Sequence, residues 1–212
     1  MQTTLSRCYG MPAAPAEMTA LPGWGATAHR EGDPSRREVE AFIQRIYAER
    51  YGAVLHSFAP VLVSLRDDHR IVAAAGYRAA TWGPLFLERY LDAPVEALLA
   101  AQVHAPPARD GIVEVGHLAS ARAGEGRRLI RMLAPHLTSL GFLWVVSTLT
   151  KELWHLFLRI GVTPLALGVA DPAVLGADAR HWGSYYDHCP VVLAGDLPRT
   201  VRQLDRRRAA SG

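Results

Sequence analysis

The sequence predicts an α/β fold in which helices cover both faces of a mixed sheet. Half of the 212 residues are apolar and a fifth are charged, as in a globular enzyme. Apolar residues recur at helical spacing in some segments and fill short runs in others. The resulting order is helix, β-hairpin, helix, strand, helix, strand, helix, strand, strand. A hairpin that leads into βαβα units indicates a mixed sheet.

The first helix and the hairpin follow residue 34. Ser35–Glu38 has the pattern of a capping box, and apolar residues then recur at helical spacing until Gly52. Residues 59–65 and 71–80 are predicted strands, joined by a polar turn. A helical stretch over 85–102 follows, with a break near its proline.

The second half alternates strands and helices. The predicted strands are 111–118, 142–148, 163–170 and 189–194, and the predicted helices are 126–140 and 153–160. We expect a loose arm over 1–34, one catalytic domain over 35–196 and a disordered basic tail over 197–212.

Charge and cysteine content narrow the class of protein. The net charge is +3, and five arginines and one aspartate between Arg199 and Arg208 account for it, so the body is about neutral and no nucleic-acid partner is expected. Cys8 and Cys189 form no disulfide framework, and the nine histidines show no metal-binding spacing. With neither a run of eighteen apolar residues nor a secretory pattern, we expect a cytoplasmic protein without integral membrane association or a bound metal.

A strand, a glycine-bearing turn and a helix start occupy residues 112–128. Gly124 and Gly126 lie in the turn, beside Arg122 and Arg127. Free backbone N–H groups at a helix start bind anions, and glycine lets a phosphate approach closely. The turn is therefore either an anion site or a glycine-rich helix start with solvated arginines.

Glu114 lies among apolar residues of a strand that should be central, where an unpaired carboxylate is costly. Burial raises the pKa of a carboxyl group, which suits a general base for an attacking amine. Because an isolated glycine often marks a bulge, Gly116 would bring His117 to the same face as Glu114. The alternative is a structural ion pair with an arginine such as Arg78.

An aromatic run, Trp182-Gly183-Ser184-Tyr185-Tyr186, precedes the last predicted strand. These rings either form the wall of an acyl pocket or pack within a loop. In the first case a tyrosine hydroxyl would protonate a leaving thiolate. No nucleophile elbow, Walker loop or dinucleotide-binding fingerprint is present in the sequence.

Four segments together resemble the bacterial thermostable hemolysin family. They lie in the family's order within residues 40–196 and are Gly76-Tyr77-Arg78-Ala79-Ala80, Leu85-Phe86-Leu87-Glu88-Arg89-Tyr90-Leu91-Asp92, Ile112-Val113-Glu114-Val115-Gly116-His117-Leu118-Ala119 and Trp182-Gly183-Ser184-Tyr185-Tyr186. The family usually has asparagine where this chain has His117, and commonly glutamine at Arg89.

The family is similar to the N-acetyltransferase (GNAT) superfamily and, more narrowly, to acyl-homoserine-lactone synthases. This resemblance implies a GNAT-like, mostly antiparallel sheet with a bulged strand. GNAT enzymes hold the pyrophosphate of coenzyme A with a Gln/Arg-x-x-Gly-x-Gly/Ala turn, and this chain matches at Gly124 and Gly126 but has Ala121 at the first position. An acyl carrier protein is therefore the alternative donor to acyl-CoA, and S-adenosylmethionine is a further candidate substrate.

Three sets of residues make up the predicted site, and the resemblance implies Arg78, Glu88 and Glu114 as its polar members. The catalytic residues are Glu114, Tyr185 and Tyr186; the substrate-binding residues are Arg78, Glu88, His117, Thr148 and Trp182; and the donor-binding residues are Leu118, Ala119, Arg122, Gly124, Gly126 and Arg127. No tightly bound cofactor is expected.

Three functions remain open. The first is acyl transfer from a thioester to a small amine, the second is membrane lysis as the family name implies, and the third is thioester or S-adenosylmethionine binding without catalysis.

Overall fold

A computed structural model describes residues 24–105, 107–122 and 124–209. Seven strands of this part form one sheet in the order β1-β2-β3-β4-β5-β7-β6. They are β1 (Trp24–Arg30), β2 (Val61–Asp67), β3 (Arg70–Ala79), β4 (Ile112–Ser120), β5 (Trp144–Leu149), β6 (Leu165–Val169) and β7 (Val191–Asp196). Strands β4 and β5 run parallel, and the other neighbouring pairs are antiparallel. The predicted mixed, mostly antiparallel sheet is confirmed.

The described α-helices are distributed over both faces of the sheet. They are α1 (Arg36–Tyr51), α2 (Val95–Ala100), α3 (Glu125–Ser139), α4 (Lys151–Arg159) and α5 (Leu197–Ala209). Helix α1 packs its apolar side, including Val39 and Ile43, on Leu62 and Ala74 of the sheet. Helices α3 and α5 pack together in a separate core cluster with the other side chains of the sheet. The alternation of side chains along a strand produces these two cores.

The local predictions near residues 35 and 90 were only partly correct. The side chain of Ser35 makes no capping hydrogen bond. Glu38 instead pairs with Arg66 of β2 at 2.6 Å, so the capping box does not form. The helical stretch over 85–102 consists of a 3₁₀ segment, Phe86–Tyr90, followed by α2.

The predicted boundaries at the two ends also need correction. Residues 24–30 of the predicted loose arm form β1, which pairs with β2 along its whole length. Much of the predicted disordered tail is α5, because Leu197, Val201 and Leu204 form an apolar stripe that packs into the core. The many arginines of this segment had indicated a disordered tail, although the apolar stripe lies among them. Residues 1–23 and 210–212 lie outside the described part.

Strand β4 is bulged where Gly116 predicted it. Ala74 of β3 lies opposite Ala119, but Gly76 lies opposite Gly116, so β4 contains one extra residue between these pairs. His117 occupies the bulge with a φ of +53°. Strands β4 and β5 pair only over Ile112–Glu114 and Trp144–Val146, and we refer to the unpaired stretch beyond these residues as the opening between β4 and β5.

Candidate functional site

A cavity of about 990 Å³ lies above the bulged part of β4. Its volume is at the upper end of the range for small-molecule sites. Segments 54–59, 84–90 and 175–185 contribute to its wall. Seven predicted site residues lie in this wall: Arg78, Glu88, Glu114, His117, Thr148, Trp182 and Tyr185. Residues from four separate parts of the sequence therefore meet at one place.

The carboxylate of Glu114 accepts two backbone hydrogen bonds. The N–H of Phe86 donates to Oε2 at 2.9 Å, and the N–H of Leu87 donates to Oε1 at 3.0 Å. Burial raises the pKa of Glu114, and these two donors and the nearby Arg78 oppose that rise. No arginine lies within ion-pair distance of Glu114 among the described residues, so the alternative of a structural ion pair is not formed.

Glu88 faces the same cavity with a different set of partners. Arg109 donates to both of its carboxylate oxygens, at 2.8 and 2.9 Å, and the N–H groups of Leu85 and Val95 donate as well. The hydrogen bonds from Arg109 lower the pKa of Glu88 to about 2. The carboxylate of Glu88 is therefore paired within the protein, and of the two glutamates in the wall Glu114 is the one without a cation within ion-pair distance among the described residues.

His117 packs in the bulge beside the ring of Phe58, with 5.5 Å between the ring centroids. Burial lowers the pKa of His117 to about 4, so the imidazole is neutral at physiological pH. Its Nδ1 has no hydrogen-bond partner among the residues that the structure describes. A Cβ on Gly76 would lie 3.2 Å from this Nδ1, so glycine at that position leaves room for the ring.

The tyrosines of the aromatic run point in different directions. Tyr185 lines the cavity, and its hydroxyl donates to the backbone oxygen of Thr148 at 3.1 Å. Tyr186 does not line it, but its hydroxyl lies 2.6 Å from that of Tyr90, which does. Burial raises the pKa of all three hydroxyls, so each stays protonated at neutral pH.

The predicted donor-binding residues lie elsewhere on the fold. Gly124, with a φ of +99°, precedes α3, and the side chain of Glu125 accepts from the N–H of Arg122 at 2.7 Å. Arg127 is exposed on α3, and a Cβ on Gly126 would lie 3.3 Å from the Oγ of Ser120. These residues therefore stay together at the end of β4, outside the cavity wall.

Leu118 and Ala119 point to opposite faces of the sheet. Ala119 packs in the α1 core. Leu118 lines a second, apolar cavity of about 50 Å³ between the sheet and the α3 face. Val115 lines both cavities, at the edge of the opening between β4 and β5. The two cavities therefore approach each other across the sheet.

A hydrogen-bonded Ser-His-Asp chain occurs away from the cavity. His29 lies 2.9 Å from Asp33 and 2.9 Å from the Oγ of Ser64. A catalytic serine must contact its substrate, but Ser64 is 0% exposed and none of the three residues lines the cavity. This chain joins β1 to β2 and is not a second active site.

Sequence reasoning missed several residues in and around the cavity, among them Tyr90, Arg89 and Arg109. Tyr90 and Arg89 lie in the segment 85–92, and the pairing of an aromatic residue with an arginine was the sequence feature that could have indicated them. Arg109, which holds Glu88, is 21 residues away from it, and no local spacing indicates their contact. Within residues 24–105, 107–122 and 124–209, no three His, Cys, Asp or Glu side chains cluster as metal ligands. No helix in that part is long and apolar enough to cross a membrane.

Comparisons with known proteins identify a family and a fold for the chain. A family model described as thermostable hemolysin matches residues 29–201. No curated protein matches the chain. Three similar solved structures are the AHL synthase LasI, the CoA-dependent acyl-homoserine lactone synthase BjaI with SAM and isopentyl-CoA, and FeeM, an N-acyl amino acid synthase from uncultured soil microbes.

The similarity to these structures covers most of each chain at low sequence identity. LasI is 15% identical with a TM-score of 0.56, over 82% of this chain and 90% of its own. BjaI is 16% identical with a TM-score of 0.56, over 86% of this chain and 89% of its own. FeeM is 14% identical with a TM-score of 0.55, over 85% and 94%. At this identity the similarity establishes the fold.

Proposed function

We propose that this chain, which belongs to the thermostable hemolysin family, transfers an acyl group from a thioester to the amine of a small acceptor. The observation that carries the proposal is Glu114, a largely buried carboxylate without a cationic partner beside the opening between β4 and β5. The similar structures LasI and BjaI, which are acyl-homoserine-lactone synthases, and FeeM, which is an N-acyl amino acid synthase, support it.

The proposed reaction assigns a proton transfer to each of two residues. The acceptor ammonium loses a proton to Glu114, and the free amine attacks the thioester carbonyl. The C–N bond forms and the C–S bond breaks. The hydroxyl of Tyr185, held beside Thr148 on β5, gives its proton to the leaving thiolate and takes back the second proton that the attacking nitrogen loses, which leaves a neutral amide and a free thiol. The pair of Tyr186 and Tyr90 closes the wall next to it.

The two cavities lie on opposite faces of the sheet, and each binds one of the two substrates. The amine acceptor enters the larger cavity, which Glu114 faces. The acyl chain passes through the opening beside Val115 into the small apolar cavity, where burial of its methylene groups contributes binding energy. The thioester carbonyl then lies between the two cavities, within reach of the attacking amine.

The donor is acyl-CoA or an acyl carrier protein. The turn at Gly124 presents the start of a 15-residue helix to a phosphate. Exposed arginines on α3 and α5 suit an acidic carrier protein, and they are Arg127, Arg131, Arg199, Arg202 and Arg206. S-adenosylmethionine is a second candidate acceptor, because aromatic rings and a carboxylate line the cavity and attract a cation.

The test is acyl transfer by the purified protein. Acyl-CoA donors of increasing chain length and the matching acyl carrier proteins are combined with amines, amino acids and S-adenosylmethionine. Release of free thiol and the mass of the N-acyl product are measured. We expect turnover that depends on acyl length. Stabilisation by donors without any product would contradict the proposal and favour a binding module. Dye release from liposomes, unchanged by Glu114→Gln, would favour membrane lysis.

A further inference from the structure

Two guanidinium groups in the cavity wall have no carboxylate partner within the described part of the chain. Arg78 donates one hydrogen bond, from an Nη1 group to the backbone oxygen of Pro84 at 3.0 Å. The guanidinium of Arg89 lies over the ring of Phe86, 4.9 Å from its centroid. Among the described residues, neither lies within 4.0 Å of a carboxylate, whereas Arg36 and Arg109 each pair with a glutamate.

Arg78 and Glu114 are direct neighbours across β3 and β4. Opposite residues of an antiparallel pair project from the same face with Cα atoms about 5 Å apart. Their charges would normally neutralise each other. Segment 84–87 prevents this, because the oxygen of Pro84 holds the guanidinium while the N–H groups of Phe86 and Leu87 hold the carboxylate. The cavity therefore presents a separated cation and anion.

The anion that Arg78 would bind does not belong to the donor phosphates. Arg78 lies opposite Glu114, near the start of β4, whereas the helix start that suits a phosphate follows Ser120 at its other end. Glu114 and Ser120 pair with Arg78 and Ala73 of β3, which are five positions apart, a distance of about 17 Å. An anion at Arg78 is therefore part of the acceptor.

We propose that Arg78, assisted by Arg89, binds a carboxylate of the acceptor, which makes the acceptor an amino acid. The ammonium group faces Glu114 and the carboxylate faces Arg78. A guanidinium group forms strong, charge-assisted hydrogen bonds with a carboxylate. This inference rests on the proposed acyl transfer and specifies its acceptor. S-adenosylmethionine belongs to the same class, since it carries an α-amino acid group.

The experiment compares acceptors that differ only in the carboxylate. The twenty amino acids and S-adenosylmethionine are screened first. The best acceptor is then compared with its amide and with its decarboxylated amine, and kcat and KM are measured for each. We expect kcat/KM to fall by about 10- to 100-fold when the carboxylate is lost, the scale of a hydrogen bond between charged groups.

Variants locate the effect at Arg78. In Arg78→Gln, KM for the amino acid should rise by about 10- to 100-fold, whereas KM for the decarboxylated amine should stay unchanged. Arg78→Lys should restore part of the loss because it keeps the charge, and Arg89→Gln should show a smaller rise. Arg45→Gln, an exposed position on α1 outside the cavity, is the matched control.

Two kinetic results would overturn the inference. One is equal use of the amide or the decarboxylated amine by the unaltered protein. The other is an equal loss for all three acceptors in Arg78→Gln, which would assign Arg78 a structural role through Pro84. If no acyl transfer occurs, calorimetry still tests the inference by comparing the affinity for each amino acid with that for its amide. Equal affinities, or no binding of any amino acid, would reject the inference.

Discussion

Glu114 on the strand floor and Glu88 in the 3₁₀ segment face the same cavity, but their surroundings oppose each other. Glu114 is held by neutral N–H groups alone, and burial raises its pKa. Glu88 is held by the guanidinium of Arg109, and its pKa falls to about 2. The raised pKa lets the first carboxylate take up a proton more readily than an ordinary glutamate, whereas the second stays ionised and holds Arg109 in the wall. A cationic partner, rather than burial alone, decides between these roles.

Removal of the charge at Glu114 should have the largest effect on activity. Glu114→Gln retains the shape of the side chain but removes the base, so turnover should fall by about 10²- to 10⁴-fold. The free energy of unfolding should change by no more than about 1 kcal/mol, because relief of a buried charge opposes the loss of one good acceptor. Initial rates and urea unfolding measure the two quantities.

Glu49→Gln is the matched control for this comparison, since Glu49 is an exposed glutamate of α1 that pairs with Arg45 outside the cavity. Its rate and stability should equal those of the unaltered protein. A Glu114→Gln variant that keeps its rate would remove Glu114 from the reaction. A variant that unfolds would show that the residue anchors segment 84–87 instead.

The same substitution at Glu88 should act mainly on stability. Glu88→Gln leaves Arg109 with Glu96 as its remaining carboxylate partner, at 2.7 Å, and should lower the free energy of unfolding by about 1–3 kcal/mol. Arg109→Met should have a similar effect. The double variant should lose less than the sum of the two, which a double-mutant cycle in urea measures. Strict additivity would show that the pair contributes nothing.

Glu88 also predicts the sign of a pH effect. Its pKa is lower in the folded protein, about 2 against the ordinary 4.5. The stability from this group is therefore complete above pH 4.5 and is lost as the pH falls from there towards 2. Thermal unfolding of the unaltered protein should shift to lower temperature over this window, and the shift should be smaller in Glu88→Gln. An equal shift in both would assign the acid sensitivity to other groups.

Sequence patterns predicted the parts of this molecule that depend on local spacing. The sheet class, the bulge at Gly116 and the C-terminal cap at Gly52 follow from periodicity and glycine positions. Seven of the eight residues predicted for catalysis or substrate binding line the cavity, which leaves their chemical roles as predictions.

The features that the sequence did not predict are mostly contacts between distant parts of the chain. No spacing links Glu88 to Arg109, or segment 84–87 to Glu114, because these contacts join parts of the chain separated by at least 21 residues. The apolar stripe of α5 was local, but the surrounding arginines outweighed it. Local patterns therefore indicated the candidate site residues, whereas long-range hydrogen bonds distinguished the carboxylate of Glu114 from that of Glu88.

The smallest effect is expected at His117, and it tests whether Glu114 alone accounts for the pH dependence of activity. A base must be ionised, so kcat/KM should fall as the pH decreases through the raised pKa of Glu114. His117 has a pKa of about 4, so its imidazole is neutral and does not titrate between pH 5 and 8. His117→Asn should therefore keep the midpoint of the limb and lower kcat/KM by less than about tenfold, the scale of one hydrogen bond.

Asparagine is suited to this position because it tolerates the left-handed backbone at φ +53°. A pH profile of kcat/KM from pH 4 to 9 for both proteins makes the comparison. A limb that moves in His117→Asn would show that the imidazole shares the proton of Glu114. In that case the base would be a coupled pair across the bulge, and the contrast between Glu114 and Glu88 would extend to the neighbours of each carboxylate.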